Sequence, residues 1–160
     1  MLGIRDVPLA SIEALLSRYG LTLEIQADGE PITGSFWGDS EAGIRGMTVF
    51  VRNDTPLHSL LHETCHVICM SAERRAELET DAGGDDLEEA AVCYLQVVLA
   101  DEIDRAGRDR LMRDMDDWGY SFRLGDTRSW FEHDADDARK WLIDKNLLNA
   151  DGTATFLLRT

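Results

Sequence analysis

Residues 56–70 read PLHSLLHETCHVICM, and the pattern H-E-x-x-H occupies positions 62–66 of this stretch. The preceding Asn53-Asp54-Thr55 offers side chains that cap helices, and proline is tolerated in a first helical turn. We therefore predict a helix over residues 56–70. Because an α-helix turns by about 100° per residue, His62 and His66 lie only about 40° apart around it. Both imidazoles can then reach a single metal ion.

Glu63 follows the first histidine of this pattern. From that position its carboxylate can reach a water molecule on the metal without binding the ion itself, which is the geometry of a general base. We therefore predict His62 and His66 as metal ligands and Glu63 as the catalytic base. An ion between these histidines lies away from His58, one turn earlier, so we expect His58 to be a surface histidine or a neighbour of the ligands.

A catalytic zinc ion commonly has three protein ligands, so one more must come from elsewhere in the chain. The apolar segment 87–103 predicts a helix that begins with two glutamates. On a helical wheel, Glu88 shares its stripe with Val92, Leu95 and Leu99, and Glu89 shares its stripe with Cys93, Gln96 and Ala100. A carboxylate on a buried apolar face is costly unless a positive charge compensates it. We expect Glu88 to be the third ligand, with Glu89 as the reserve candidate. The alternative is that Glu88 lies in solvent at the capped start of the helix.

The two motifs together resemble those of the ImmA/IrrE-type gluzincin metallopeptidases. In that family H-E-x-x-H is followed by a helix with the pattern E-x-x-A-(N/D)-x-F-A, which Glu88, Ala91 and Tyr94 fit, starting 22 residues after the second histidine. The departures are Cys65 for a frequent glycine, Val92 for the usual Asn or Asp, and Ala100-Asp101 for Met-Pro. The resemblance covers residues 8–100. It implies a zincin-like fold, a bound Zn²⁺ and endopeptidase activity, often directed at transcriptional repressors.

The rest of the chain indicates one α+β domain over residues 1–160. Apolar residues at helical spacing predict further helices at 8–19, around 111–115 and at 134–148. Extended segments are expected at 21–26, 32–37, 47–52 and 153–158, and loops at 71–84 and 119–125. The first strands would form a small antiparallel or mixed sheet. Residues 1–105 would be the family-like core, and 106–160 a helical C-terminal extension.

Composition restricts the classes of function. The 16 Lys and Arg residues against 31 Asp and Glu residues give a net charge of −15, which disfavours direct binding to nucleic acid. Three cysteines argue against a disulfide framework, so we expect a reducing, cytoplasmic setting. The longest apolar run, 90–100, is too short for a membrane-spanning helix, so no membrane contact is expected. The expected partner is a protein or peptide substrate, with a transcriptional regulator or a basic peptide among the candidates.

Peptide hydrolysis also needs a hydrogen-bond donor for the developing oxyanion. The C-terminal third offers Tyr120, Arg128 and His133 as oxyanion or substrate contacts. Two other functions stay open: a catalytically silent zincin-like regulatory or protein-binding module, and a metal-free acidic interaction protein in which the motif is incidental. The predicted ligand set would also accept divalent ions other than zinc.

Overall fold

The computed structural model describes residues 1–35, 38, 40–78 and 83–160, and within them the chain has an α+β architecture. A short 3₁₀ turn, Ile4–Asp6, precedes the first helix. The α-helices are α1 Leu9–Arg18, α2 Leu57–Cys69, α3 Ala72–Ala76, α4 Asp86–Ala100, α5 Arg108–Trp118, α6 Thr127–His133 and α7 Asp136–Asp144. The strands are β1 Thr22–Ile25, β2 Gly43–Arg45 and β3 Thr48–Val51. The α+β class predicted from the sequence is therefore confirmed.

Helices α2 and α4 form the centre of the structure. Helix α2 starts directly after Pro56 and is buried on almost every face, since only His62 among its residues is not buried. Helix α4 starts at the cap residue Asp85, whose carboxylate accepts a hydrogen bond from the Glu88 amide at 2.8 Å. The two helices pack against each other, and α2 also contacts β2 and β3 while α4 contacts α5 and α7. Side chains on the facing surfaces of α2 and α4 are thus held in fixed positions.

The sheet is mixed and has the strand order β1-β3-β2. Strand β2 is antiparallel to β3, and Gly46, with a φ of 59°, lies in the tight turn between them. Strand β1 is parallel to β3 because β2 runs antiparallel to both and returns the chain to the end of the sheet from which β1 started. The predicted extended segment 32–37 does not form a strand over 32–35, which contain a turn, and Phe36 and Trp37 lie outside the described residues.

Two short helices occupy segments where the sequence predicts a loop or no element. Ser71 caps α3 by accepting a hydrogen bond from the Arg74 amide, and Asp126 caps α6 by accepting one from the Ser129 amide. A cap can start a helix of one or two turns, whereas so few residues carry no visible periodicity. Helix α3 therefore corrects part of the predicted loop 71–84, of which residues 79–82 lie outside the described residues.

The C-terminal segment is not the strand predicted over residues 153–158. Ala154 makes only an isolated bridge with Leu148, and a φ of 61° at Phe156 interrupts the extended backbone. The segment instead docks on the end of α2, where the Arg159 amide donates to the carbonyl oxygen of Ile68 at 3.0 Å. The chain end is thereby tied to the helix that carries the H-E-x-x-H pattern.

One hydrophobic cluster runs through the described residues, and both 1–105 and 106–160 contribute to it. From the second segment it includes Leu111, Met112, Met115, Trp130, Ala138 and Leu142. The predicted helical extension therefore packs on the α2–α4 pair rather than extending away from it. Among the described residues, every helix is too short or too polar to cross a bilayer.

Candidate metal centre

Helix α2 brings two imidazoles together at its partly open face. His62 and His66 are one helical turn apart, and their Nε2 atoms lie 3.1 Å from each other. The side chain of His66 is 7% exposed and that of His62 is 17% exposed, so both rings lie mostly in the protein with one edge accessible. The sequence prediction that these two rings converge on one point is confirmed by this geometry.

Glu89 on α4 completes the group. Its Oε1 lies 3.1 Å from His62 Nε2, and its Oε2 lies 3.2 Å from His66 Nε2. Ligand atoms around a tetrahedral zinc ion at the usual bond lengths are about 3.3 Å apart, so the three side chains are spaced like three corners of such a site. These residues could hold a divalent metal ion. The donor set, two imidazoles and a carboxylate, also suits zinc.

The structure corrects the choice of Glu88 as third ligand. Glu88 is buried as expected, with a side chain only 5% exposed, but it faces away from the histidines. Its carboxylate accepts hydrogen bonds from the guanidinium of Arg74 at 2.7 and 2.9 Å and from that of Arg159 at 3.1 Å. The positive charge that compensates this buried carboxylate therefore comes from two arginines and not from a metal. Glu89 was the reserve candidate, and the structure places it at the histidines.

Glu63 lies beside this group. It is buried on α2 and lines a cleft of about 400 Å³ together with His62 and Glu89. The remaining lining residues of this cleft are Glu41, Trp118, Gly119 and Tyr120. The carboxylate predicted as the general base therefore opens onto the same space as two of the residues that could hold the metal.

The electrostatics of the cluster suit a cation between its members. Burial raises the pKa of Glu89, but hydrogen bonding to His62 and the charge of His66 outweigh it and hold that pKa below its usual value. Burial lowers the pKa of His62, but contacts with Tyr120, Cys93 and Glu89 outweigh it and raise that pKa well above its usual value. Glu89 is therefore anionic at neutral pH, and its negative charge would attract a cation bound between it and the two imidazoles.

Gln96 connects the metal group to its surroundings. It is fully buried on α4, and its Oε1 lies 3.0 Å from His62 Nδ1. Its Nε2 donates to the carbonyl oxygen of His58 at 2.9 Å and to the Tyr120 hydroxyl at 3.3 Å. The Tyr120 hydroxyl also contacts His58 Nδ1 at 3.1 Å. A continuous network of polar contacts thus runs from one of the histidines of the group to a tyrosine that lines the cleft.

His58 is a neighbour of the ligands and not a surface residue. It is 1% exposed, and its ring packs against Trp118 and Tyr120. Burial and the nearby charge of His62 lower the pKa of His58 to about 4, although Asp114 acts in the opposite direction. His58 is therefore neutral at physiological pH.

Of the three residues predicted as oxyanion or substrate contacts, the structure brings only Tyr120 to the cleft. Its ring meets that of His62 edge-on, with centroids 5.7 Å apart. His133 is 71% exposed and pairs with Glu132, whereas Arg128 pairs with Asp109 and Glu132 on the surface. The prediction that these two residues contact the oxyanion is corrected, because α6 directs both side chains into surface ion pairs outside this cleft. A contact of either residue with the substrate stays a prediction.

A second cleft of about 620 Å³ lies next to the first and shares Glu89 with it. Phe122 and Trp130 give it an aromatic wall, and their rings are stacked with centroids 4.5 Å apart. Asp86 and Asp137 are among its acidic residues. The segment from Trp118 to Arg123 therefore borders open space on both sides of the metal group.

Sequence reasoning did not identify Gln96, Trp118 or Glu41 as parts of this site. A signal existed for Gln96, because Glu89 and Gln96 are the polar members of one stripe on an otherwise apolar helix. Two polar residues that are two turns apart on a buried helix indicate a shared polar neighbour. Trp118 and Glu41 reach the cleft from distant segments, and no local pattern marks them.

Comparisons of the chain with protein-family models, with curated proteins and with solved structures give no match.

Proposed function

We propose that this protein is a zinc-dependent metalloendopeptidase that hydrolyses peptide bonds of a protein substrate. One observation carries the proposal: His62, His66 and Glu89 converge with the spacing of metal ligands, while the carboxylate of Glu63 opens onto the same cleft. Two imidazoles and a carboxylate with an adjacent glutamate are the parts of a hydrolytic zinc site.

The metal would be held by His62, His66 and Glu89. Zinc bound there would supply a Lewis acid and lower the pKa of a water molecule towards about 7. Other divalent ions could bind the same donors, so the choice of zinc rests on the chemistry of the ligand set.

The protein's own residues then have separate tasks. The Glu63 carboxylate accepts a proton from the attacking water and returns it to the leaving amine, as a general base and acid. The Tyr120 hydroxyl is the remaining candidate to donate a hydrogen bond to the oxygen that becomes negatively charged. The two clefts on either side of Glu89 offer room for the residues before and after the cleaved bond.

The second sequence motif supports the family resemblance only if Glu88 is the metal ligand. With Glu89 as ligand, the positions three and six residues later are Val92 and Leu95, where the ImmA/IrrE-type pattern has alanine and an aromatic residue. Membership of that family, a zincin-like fold and a transcriptional regulator as substrate are therefore further parts of the proposal, supported by the H-E-x-x-H helix packed on a glutamate helix.

The proposal is tested with zinc-loaded protein and a peptide library read by mass spectrometry. We expect cleavage by the wild type, and a rate lower by roughly 10²–10⁴-fold for Glu63→Gln, because that variant lacks the proton acceptor. The zinc content of Glu63→Gln should equal that of the wild type, since Glu63 is not a ligand. Glu13→Gln, an exposed residue of α1, serves as the matched control and should cleave normally.

Two outcomes would contradict the proposal. Unchanged cleavage by Glu63→Gln would remove Glu63 from the mechanism. A wild type that binds one zinc per chain but cleaves no peptide would instead indicate the catalytically silent module.

A further inference from the structure

We propose that Gln96 is a positioning residue for both the metal and the substrate: it fixes the ring of His62 with the Nε2 lone pair towards the metal, and it leaves the Tyr120 hydroxyl proton free for the cleft. The first part requires only that the site binds zinc. The second part rests on the proposed peptidase function.

The orientation of the Gln96 amide follows from its neighbours. The backbone carbonyl of His58 can only accept a hydrogen bond, so the atom 2.9 Å from it must be the amide nitrogen of Gln96. The amide oxygen then faces His62 Nδ1 at 3.0 Å, and it can only accept. His62 therefore carries a proton on Nδ1, which leaves Nε2, the nitrogen that faces Glu89 and His66, as the one that would bind a metal. A ligand histidine held by an acceptor on its second nitrogen is fixed in both tautomer and ring orientation.

The same amide also determines where the Tyr120 proton can go. One amide hydrogen is used by the His58 carbonyl, and the other points to the Tyr120 oxygen at 3.3 Å. The Tyr120 oxygen therefore accepts from Gln96 and faces His58 Nδ1 at 3.1 Å.

The position of the proton on the His58 ring decides whether His58 Nδ1 donates a hydrogen bond to the Tyr120 hydroxyl or accepts one from it. Within the described part of the chain, His58 Nε2 is buried without a hydrogen-bond partner. A buried N–H without an acceptor is rarer and costlier than a buried lone pair without a donor, so the proton belongs on Nδ1. His58 then donates to Tyr120, whose oxygen accepts twice. The Tyr120 hydroxyl keeps its own proton for a group in the cleft that it lines.

The burial of Gln96 supports a positioning role. Its side chain is fully buried between α2 and α4, where an apolar residue would pack without the cost of desolvating an amide. The oxygen and the nitrogen of the Gln96 amide both make hydrogen bonds. Their three partners are His62, His58 and Tyr120.

The test compares Gln96→Met with Gln96→Glu. Methionine keeps the length of the side chain but makes none of the three hydrogen bonds, so we expect zinc affinity, measured by competition with a chromophoric chelator, to fall by about 10–100-fold. Glutamate can still accept the proton of His62 Nδ1, although its second oxygen would face the His58 carbonyl without a hydrogen to donate, so Gln96→Glu should bind zinc less tightly than the wild type but clearly more tightly than Gln96→Met. Without the amide donor, however, Tyr120 donates to the new carboxylate, and kcat of zinc-saturated Gln96→Glu should fall with KM little changed.

The matched control is Gln26→Met. Gln26 is the other glutamine of the chain, and its amide makes two hydrogen bonds to Thr33 at the end of β1. It should bind zinc and cleave peptide like the wild type. Circular dichroism melting of each metal-free variant shows that zinc binding is measured on folded protein.

The zinc-affinity measurement tests the role of Gln96 towards His62, and the kcat measurement tests its role towards Tyr120. Wild-type zinc affinity in folded Gln96→Met would overturn the positioning of His62, as would an affinity of Gln96→Glu as low as that of Gln96→Met. Wild-type kcat in Gln96→Glu would overturn the role assigned to Tyr120. If the wild type cleaves no peptide, the proposed function fails and the Tyr120 part fails with it, while the zinc-affinity arm still decides the His62 part.

Discussion

At the scale of single residues, Glu88 and Glu89 are neighbours in sequence but face different partners. They point in directions about 100° apart around α4, so one meets Arg74 and Arg159 while the other meets the two histidines. The wheel argument correctly predicted that Glu88 is buried. It could not predict which positive charge lies opposite, because Arg159 is 71 residues away along the chain.

The hydroxyl of Tyr120 is the group that we assign to oxyanion stabilisation. Tyr120→Phe keeps the ring beside His62 and removes only the donor. Loss of one oxyanion donor typically lowers kcat by about 10²–10³-fold, and we expect that loss in peptide cleavage with zinc content unchanged. Tyr94→Phe is the matched control, because Tyr94 stacks on Phe131 away from the metal group. A Tyr120→Phe variant with full activity would show that the oxyanion is stabilised elsewhere.

At the scale of elements, the long periodic segments could be predicted and the short ones could not. Predicted helices 56–70 and 87–103 correspond to α2 Leu57–Cys69 and α4 Asp86–Ala100, because their apolar positions repeat over several turns. Strand β2 Gly43–Arg45 and helix α3 Ala72–Ala76 depend on a turn and on a cap, and neither produces a periodic pattern. The C-terminal segment alternates like a strand but lies against α2, a tertiary contact that no local pattern contains.

The Glu88 ion pairs link three elements, since the carboxylate joins the start of α4 to Arg74 on α3 and to Arg159 in the C-terminal segment. Glu88→Ala removes a buried charge partner from both arginines, although these are exposed enough to be partly rehydrated. We expect the free energy of unfolding in urea to fall by about 1–3 kcal/mol.

The control for this prediction is a surface ion pair of the same type. Glu102 lies 4.0 Å from Arg18 with both side chains largely exposed, so Glu102→Ala should change the free energy of unfolding by less than about 0.5 kcal/mol. Equal effects of the two substitutions would mean that the Glu88 contacts do not join these elements.

At the scale of the whole molecule, the residues of the metal group lie on two helices whose other side chains help to form the hydrophobic core. Leu60 and Leu61 of α2 and Leu95 and Leu99 of α4 are fully buried in the cluster that runs through the described residues. We therefore expect this core to keep the chain folded without a metal, unlike small domains that fold only around zinc. Variants of the ligands should stay folded, so the loss of metal can be measured separately from the loss of structure.

The proposed zinc site is tested most directly by the zinc content per chain of the wild type, Glu89→Ala and Glu88→Ala after dialysis against buffer with a low, fixed concentration of free zinc. We predict about one zinc ion in the wild type and in Glu88→Ala, and a large loss in Glu89→Ala, because Glu89 and not Glu88 lies beside His62 and His66. Zinc retained by Glu89→Ala but lost by folded Glu88→Ala, or no zinc in the wild type, would contradict this prediction.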